Sequence, residues 1–209
     1  SLLTSFIVAG VGVAISAIIG IPLGALAATS PIAGRIVAGI DRFLLGFPAI
    51  LFAMLLVAAM EPGSGVLMLA LGICGVPAFA KVARRTLSGI AGFAFVDSAR
   101  LAGMSASEIW RRHTIPDFAR VMLATGLGLL GPNVLLEAAL SFIGLGAQAP
   151  ASSFGLMLHD AQTVGADKPL LLIVPGLLLT ATALTLGIAS HGLAALADPR
   201  LDAEGDDAA

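Results

Sequence analysis

The chain has 209 residues, 58% of them hydrophobic and only 11% charged, with a net charge of −2 and a mean hydropathy of +1.02. A soluble domain carries about 25% charged and about 45–50% apolar residues, and a compact fold of this length could not hide so much apolar surface from water. An ordinary soluble domain is therefore excluded, and the composition predicts an all-α, polytopic helical membrane protein with one transmembrane domain over residues 1–209.

A membrane span needs about 20 mostly apolar residues, and five runs qualify in chain order. The first, 3–28, holds no charge at all. Ala25-Leu26-Ala27 resembles a cleavage site, but the run exceeds the usual apolar core of a signal peptide and no basic residue precedes it, so it is read as a span. Within it, Gly20-Ile21-Pro22-Leu23-Gly24 has the spacing for close helix packing. The second run is 43–60 and the third 63–80. The third includes Gly72, Gly75 and Pro77, residues that membrane helices tolerate when neighbours satisfy the freed backbone groups. Cys74 lies alone inside it and reads as a small buried hydrophobe. The fourth run is 118–143, where Pro132 and Asn133 predict a kink. Glu137 is the one strongly polar residue in any span, costly enough in hydrocarbon to be a functional candidate. Two roles stay open for Glu137 and Asn133: interhelical hydrogen bonding, or lining a substrate path. The fifth run is 169–190.

Orientation follows from where Lys and Arg collect. Lys81, Arg84, Arg85, Arg100, Arg111, Arg112 and Arg120 all fall near the segment 81–117, which the positive-inside rule assigns to the cytoplasm. Alternation then puts Arg35 and Arg42 inside, the segment 146–168 outside, and the acidic tail 191–209 inside. Ser1 falls outside, which predicts a further span upstream and hence five spans of a six-span subunit.

The basic loop is not low-complexity. Residues 93–102 read as a short helix that Gly103 ends. Ser105-Ala106-Ser107-Glu108 forms a capping box for a second helix, with Ile109 and His113 on one face and Arg111 and Arg112 on another. Pro116 suits the first turn of the following span. Two rigid pieces joined at a bend predict a partner-binding element rather than a tether.

Chemistry of other kinds is missing. The two lysines, Lys81 and Lys168, are not preceded by Gly, so there is no phosphate-binding loop. His113, His159 and His191 are far apart and show no metal-ligand spacing. His159 with Asp160 reads as a solvated loop face, with a ligand contact or pH-responsive role as the sharper alternative. No catalytic, cofactor-binding or metal-binding set is expected.

Several separated blocks carry a family resemblance. Asp97-Ser98-Ala99, three residues, Gly103, nine residues, then His113-Thr114-Ile115-Pro116 resembles the EAA loop of ATP-binding-cassette (ABC) importer permeases. Asp97, Ser98 and Ile115 stand where that family has Glu, Ala and Leu, and Asp117 where this branch often has Asn. Leu136-Glu137-Ala138-Ala139-Leu140-Ser141-Phe142-Ile143-Gly144-Leu145-Gly146, with Gln148-Ala149-Pro150, is similar to the C-type subunit of the dipeptide, oligopeptide and nickel branch. So are Asp198-Pro199-Arg200-Leu201 and the stretch from Asp41 to Pro48. The resemblance covers nearly the whole chain, as an N-terminally truncated member.

The resemblance implies a permease subunit in a bacterial inner membrane that binds no cofactor itself. Its implied partners are a second permease in a heterodimer, two ATPase subunits holding ATP and magnesium, and an extracytoplasmic binding protein; no nucleic acid is implied. The loop would be the coupling element, carried by Asp97, Ser98, Ala99, Gly103, Ser105, Glu108, Ile109, His113 and Pro116. Di- or oligopeptides are the implied cargo, with nickel or another small ligand as the alternative and a secondary carrier or channel as the rival class.

Overall fold

The structure is a computed structural model and describes residues 2–60, 62–91, 105, 108, 110–148, 151–162 and 168–197. Among these residues it is all helix and turn. Helix α1 spans Leu2–Thr29, α2 Pro31–Gly46, α3 Ala49–Ala59 and α4 Ser64–Ala91. A π-helical turn, Trp110–Thr114, leads into α5, Ile115–Phe142; α6 is Phe154–Ala161 and α7 Leu170–Ala197. Four of these, α1, α4, α5 and α7, are long and apolar enough to cross a membrane. The pair α2 and α3 makes a fifth crossing only if it is counted as one broken span.

That break corrects the expectation of a single span at 43–60. Proline disfavours an α-helical residue before it, and Phe47 is extended at φ −102°, ψ 124°. The two helices meet at 89°. Residues 43–46 belong to α2, and the 11 residues of α3 reach only about 16 Å. The start of α2 is set just as locally. Ser30 is extended, its Oγ accepts from Ala33 N–H at 3.4 Å, and Pro31 takes the first helical position where no N–H is needed.

The remaining expected spans appear as longer helices. The third does not stop at Ala80: α4 runs on through Lys81, Arg84 and Arg85 to Ala91. Lys and Arg are good helix formers, so the charges mark an interface without ending the helix. The expected loop 81–117 thus begins inside α4. Helix α5 passes Pro132 as one continuous helix, and α7 continues beyond Ser190 to Ala197.

Packing centres on α1 against α4, with α5 lying on both, α7 on α5, and α6 across α5 and α7. Small residues every fourth position let the backbones of α1 and α4 touch. A Cβ on Gly12 would stand 2.8 Å from Leu71 Cβ, one on Gly20 2.7 Å from both Phe79 Cβ and Val76 O, and one on Gly24 2.7 Å from Ala83 Cβ. Between them Ser16 Oγ shares its proton between Gly12 O at 2.9 Å and Gly72 O at 2.7 Å. From the other side Gly72 meets Ile15, and Gly75 meets Ser16. In lipid, where apolar surface gains little by pairing, such backbone approach and interhelical hydrogen bonding hold helices together. Cover is uneven: 61% of the apolar window of α4 is buried but only 6% of that of α7, which is nearly bare among the described residues.

Gly20→Ala is expected to destabilise the purified protein by about 1–3 kcal/mol, the usual cost of overpacking. Gly10→Ala, with nothing within 4 Å, should shift stability by less than about 1 kcal/mol, toward the more stable side. Thermal unfolding of both variants in one detergent is the check; equal effects would show that the α1–α4 approach is not under steric control.

Candidate functional site

Two sets of residues stand out, at opposite ends of α5. At the basic end, Ser105 Oγ accepts from Glu108 N–H at 3.3 Å, the first half of the capping box read from the sequence. The Glu108 carboxylate pairs with Arg112 at 3.4 Å on the solvent side. Trp110–Thr114 winds as a π-turn and passes into α5 with no linker, Pro116 sitting in the first turn of that helix. Trp110 and Ile115 are each 53% exposed while Thr114 is buried, so one side of this junction is anchored and the other is open. Asp117 and Arg120 form an exposed pair at 3.3 Å. Just inside, Phe118, Val121 and Met122 pack on Phe79 and Ala83 of α4. This core fixes the direction in which the junction points.

Of the residues read as the coupling set, Ser105, Glu108 and Pro116 are placed in this way, and the backbone of His113 lies in the π-turn. Asp97, Ser98, Ala99, Gly103 and Ile109 lie outside the described residues.

At the far end, α5 closes in a Schellman motif. Gly144 has φ +83°, the only positive φ among the described residues, and Leu145 N–H donates to Leu140 O at 2.8 Å while Gly144 N–H donates to Ser141 O at 3.1 Å. Leu145 packs back on the core around Leu140, which includes Val8, Ala53, Leu67 and Leu71. The turn returns the chain onto Ser141. Its hydroxyl donates to Glu137 Oε1 at 2.7 Å and accepts from Ala147 N–H at 3.1 Å. Gly146 lies against Ser141 and Gly155 against the Ala138 carbonyl, so closely that a side chain at either position would overlap them. Helix α6 is capped by Ser153, whose Oγ accepts from Leu156 N–H at 3.3 Å. His159 then holds α6 to the end of α5: its Nδ1 lies 2.7 Å from Phe142 O, and the ring meets Phe142 edge-on. A carbonyl only accepts, so this bond fixes the proton on Nδ1. His159 is thus exposed, as a solvated face requires, and also clasps α6 to α5, a contact that the sequence does not reveal.

Glu137 is fully buried, its Oε2 without a hydrogen-bond partner among the described residues. One turn earlier on the same face, Asn133 is also buried, its Nδ2 likewise unpartnered and turned toward Gly12 of α1. Among the described residues no three His, Cys, Asp or Glu side chains gather to hold a metal ion.

Comparison with known proteins agrees with this layout. Residues 20–203 match the family model for the binding-protein-dependent transport system inner membrane component. A protein of Brucella suis biovar 1 named as a peptide transport system permease is 32% identical over 191 residues, which cover 91% of this chain and 64% of the relative. The glutathione transport system permease protein GsiD of Pectobacterium atrosepticum is 33% identical over 190 residues, covering 90% of this chain and 63% of its own length. The chain therefore spans less than two thirds of either relative. In solved structures the fold recurs in an inward-facing form of the MetNI methionine ABC transporter, with a TM-score of 0.73 at 15% identity over 95% of this chain and 94% of that one. It recurs also in an amino acid ABC transporter, with a TM-score of 0.63 at 17% identity over 95% and 91%.

Ser141→Ala leaves Ala147 N–H and Glu137 Oε1 without partners in a buried place, a loss of about 1–3 kcal/mol for each group. The expected outcome is a lower unfolding temperature and faster proteolysis within 144–162, whereas Ser141→Thr retains the hydroxyl and loses less. An unaltered cleavage rate in the alanine variant would mean that the hairpin is held by something else.

Proposed function

The chain belongs to the family of binding-protein-dependent transport system inner membrane components, and on that premise we propose that it is the permease subunit of an ABC importer for di- or oligopeptides. The observation that carries the mechanism is the unbroken passage from the π-turn into α5. Separate ATPase subunits bind ATP with magnesium and draw together, and their motion presses on the element that ends at Pro116. Because Trp110–Thr114 joins α5 directly, the displacement is delivered to the helix rather than absorbed in a flexible link. Helix α5 has 28 residues, about 42 Å at the usual rise, and so reaches from the driven end to the Ser141 hairpin. A rigid element moved between two packings is a common basis for switching.

In this reading the basic end faces the cytoplasm, Ser1 lies outside and the tail inside. The hairpin with α6 lies on the side from which a binding protein delivers cargo. A second permease completes the translocation path, and the nearly bare α7 is available to it or to lipid. Asp97 and Gly103 make the principal contact with the ATPase, while Ser105, Glu108 and Pro116 keep the element rigid. This chain binds no cofactor and performs no catalysis. The peptide class is supported by the names of the Brucella and Pectobacterium relatives.

In the assembled full-length transporter, Asp97→Lys is expected to lower binding-protein-stimulated uptake by at least about tenfold, as loss of a charge-assisted contact does. Gly103→Pro should do the same, with membrane insertion unchanged. Uptake of labelled peptide and co-purification of the ATPase are the measurements; unchanged values in both would refute the coupling role. A reporter fused after Arg85 should read as cytoplasmic, and an outside reading would overturn the orientation.

A further inference from the structure

The faces of α2 and α4 that look at each other near the basic end use the same register. Val37, Ala38, Asp41, Arg42 and Leu45 on α2 stand opposite Ala80, Lys81, Arg84, Arg85 and Ser88 on α4, around a groove of about 550 Å³. That volume lies within the range of about 300–1,000 Å³ usual for small-ligand sites. Four cations and one acid line it. Among the described residues none of the four is ion-paired to an acid, since the two pairs present are Glu108–Arg112 and Asp117–Arg120. Lys81 and Arg84 lie near enough to act on the charge of Asp41, yet Asp41 Oδ1 is buried without a hydrogen-bond partner. Arg84 is steadied by Gly34 O at 3.5 Å and Arg42 by Ala38 O at 3.0 Å, so two of the guanidinium groups are held in place at the groove.

The floor of the groove is apolar. Val37 packs with Ala27 and Ala80, and Leu45, 66% exposed, lines the open side. A ligand matching both parts needs a compact negative head of oxygen acceptors joined to a hydrocarbon portion. We propose that this groove binds the phosphodiester head of an anionic phospholipid, with Lys81, Arg84 and Arg85 around the phosphate and the acyl chains leaving past Leu45. Basic pockets between helices at the cytoplasmic interface suit such heads, and an arginine fork suits two phosphate oxygens at once. The site would fasten α2 to α4 across the groove. It rests on a membrane interface at this end of α4 and not on ATPase coupling, so either can fail alone.

The test uses the assembled full-length transporter in detergent, titrated with short-chain phosphatidylglycerol, short-chain phosphatidylcholine and inorganic phosphate. Binding is read by native mass spectrometry and by the shift in unfolding temperature. Phosphatidylglycerol should bind and stabilise, and neither of the others should match it. Lys81→Gln with Arg85→Gln removes two exposed cations and should weaken phosphatidylglycerol binding about 25-fold, at roughly fivefold for each. Ser88→Glu, at an exposed position, should also weaken it by adding a negative charge at the rim. Arg120→Gln, outside the groove, should leave it unchanged. Equal binding of the two lipids, inorganic phosphate binding as tightly as the anionic lipid, or full affinity in the double variant would each overturn the proposal. So would loss of the ATPase subunits from the double variant with lipid binding intact, which would assign the cations to a protein contact.

Discussion

The contact of backbone with backbone between α1 and α4 is the constraint from which the rest of the arrangement follows. Lipid offers apolar side chains as good a surrounding as protein does, so helices in it are held by close approach and by polar groups that have no better partner. Gly12, Ser16, Gly20 and Gly24 supply both in one stripe. Because α1 and α4 are drawn together, Phe79 and Ala83 are presented as a fixed surface for Phe118 and Met122. Helix α5 is aligned on that surface and α7 on α5, with α7 the least covered of the four.

The same helix α5 joins two kinds of polar chemistry. At one end the ion pairs are exposed and weak, of the kind that contributes about 0–1 kcal/mol, and they leave the surface free to meet a partner. At the other, Glu137, Ser141 and Ala147 form a buried relay in which one hydroxyl acts as donor and acceptor together. Buried hydrogen bonds are costly to leave unmade, so the hairpin end is fixed where the basic end is open. A helix held firmly at one end and exposed at the other is suited to transmit a displacement.

Much of this was legible from residue type, and the misses have physical reasons. Four apolar runs became helices because a window of hydropathy measures what lipid measures. The break at 47–48 was missed because hydropathy does not register the bias that Pro48 places on Phe47, although the Phe-Pro pair was visible. Helix α4 ran beyond the expected limit at Ala80 because charge moves a residue out of hydrocarbon without unwinding it, and α7 ran beyond Ser190 because 191–197 hold neither charge nor proline to end it. Glu137 could be singled out as a carboxylate in an apolar run. Its partner Ser141 could not, because a serine one turn away is as often turned to a backbone carbonyl, and Ala147 reaches it only once Gly144 has reversed the chain. Gly20 and Gly24 carried a visible spacing; Gly12 and Ser16 completed it only when α4 was seen beside them. The capping pair Ser105 and Glu108 was readable because it is local.

The π-turn at Trp110–Thr114 fits one more residue into the winding than an α-helix would. Every residue of helix turns the chain by about 100°. The turn therefore sets the azimuth of the preceding element around the axis of α5, independently of the core that holds α5 itself. Loss of one residue here would swing Trp110 and Arg111 to another side of the bundle while Phe118 and Met122 kept their places. A single-codon change here could thus re-aim the segment before the turn while the membrane scaffold stays as it is.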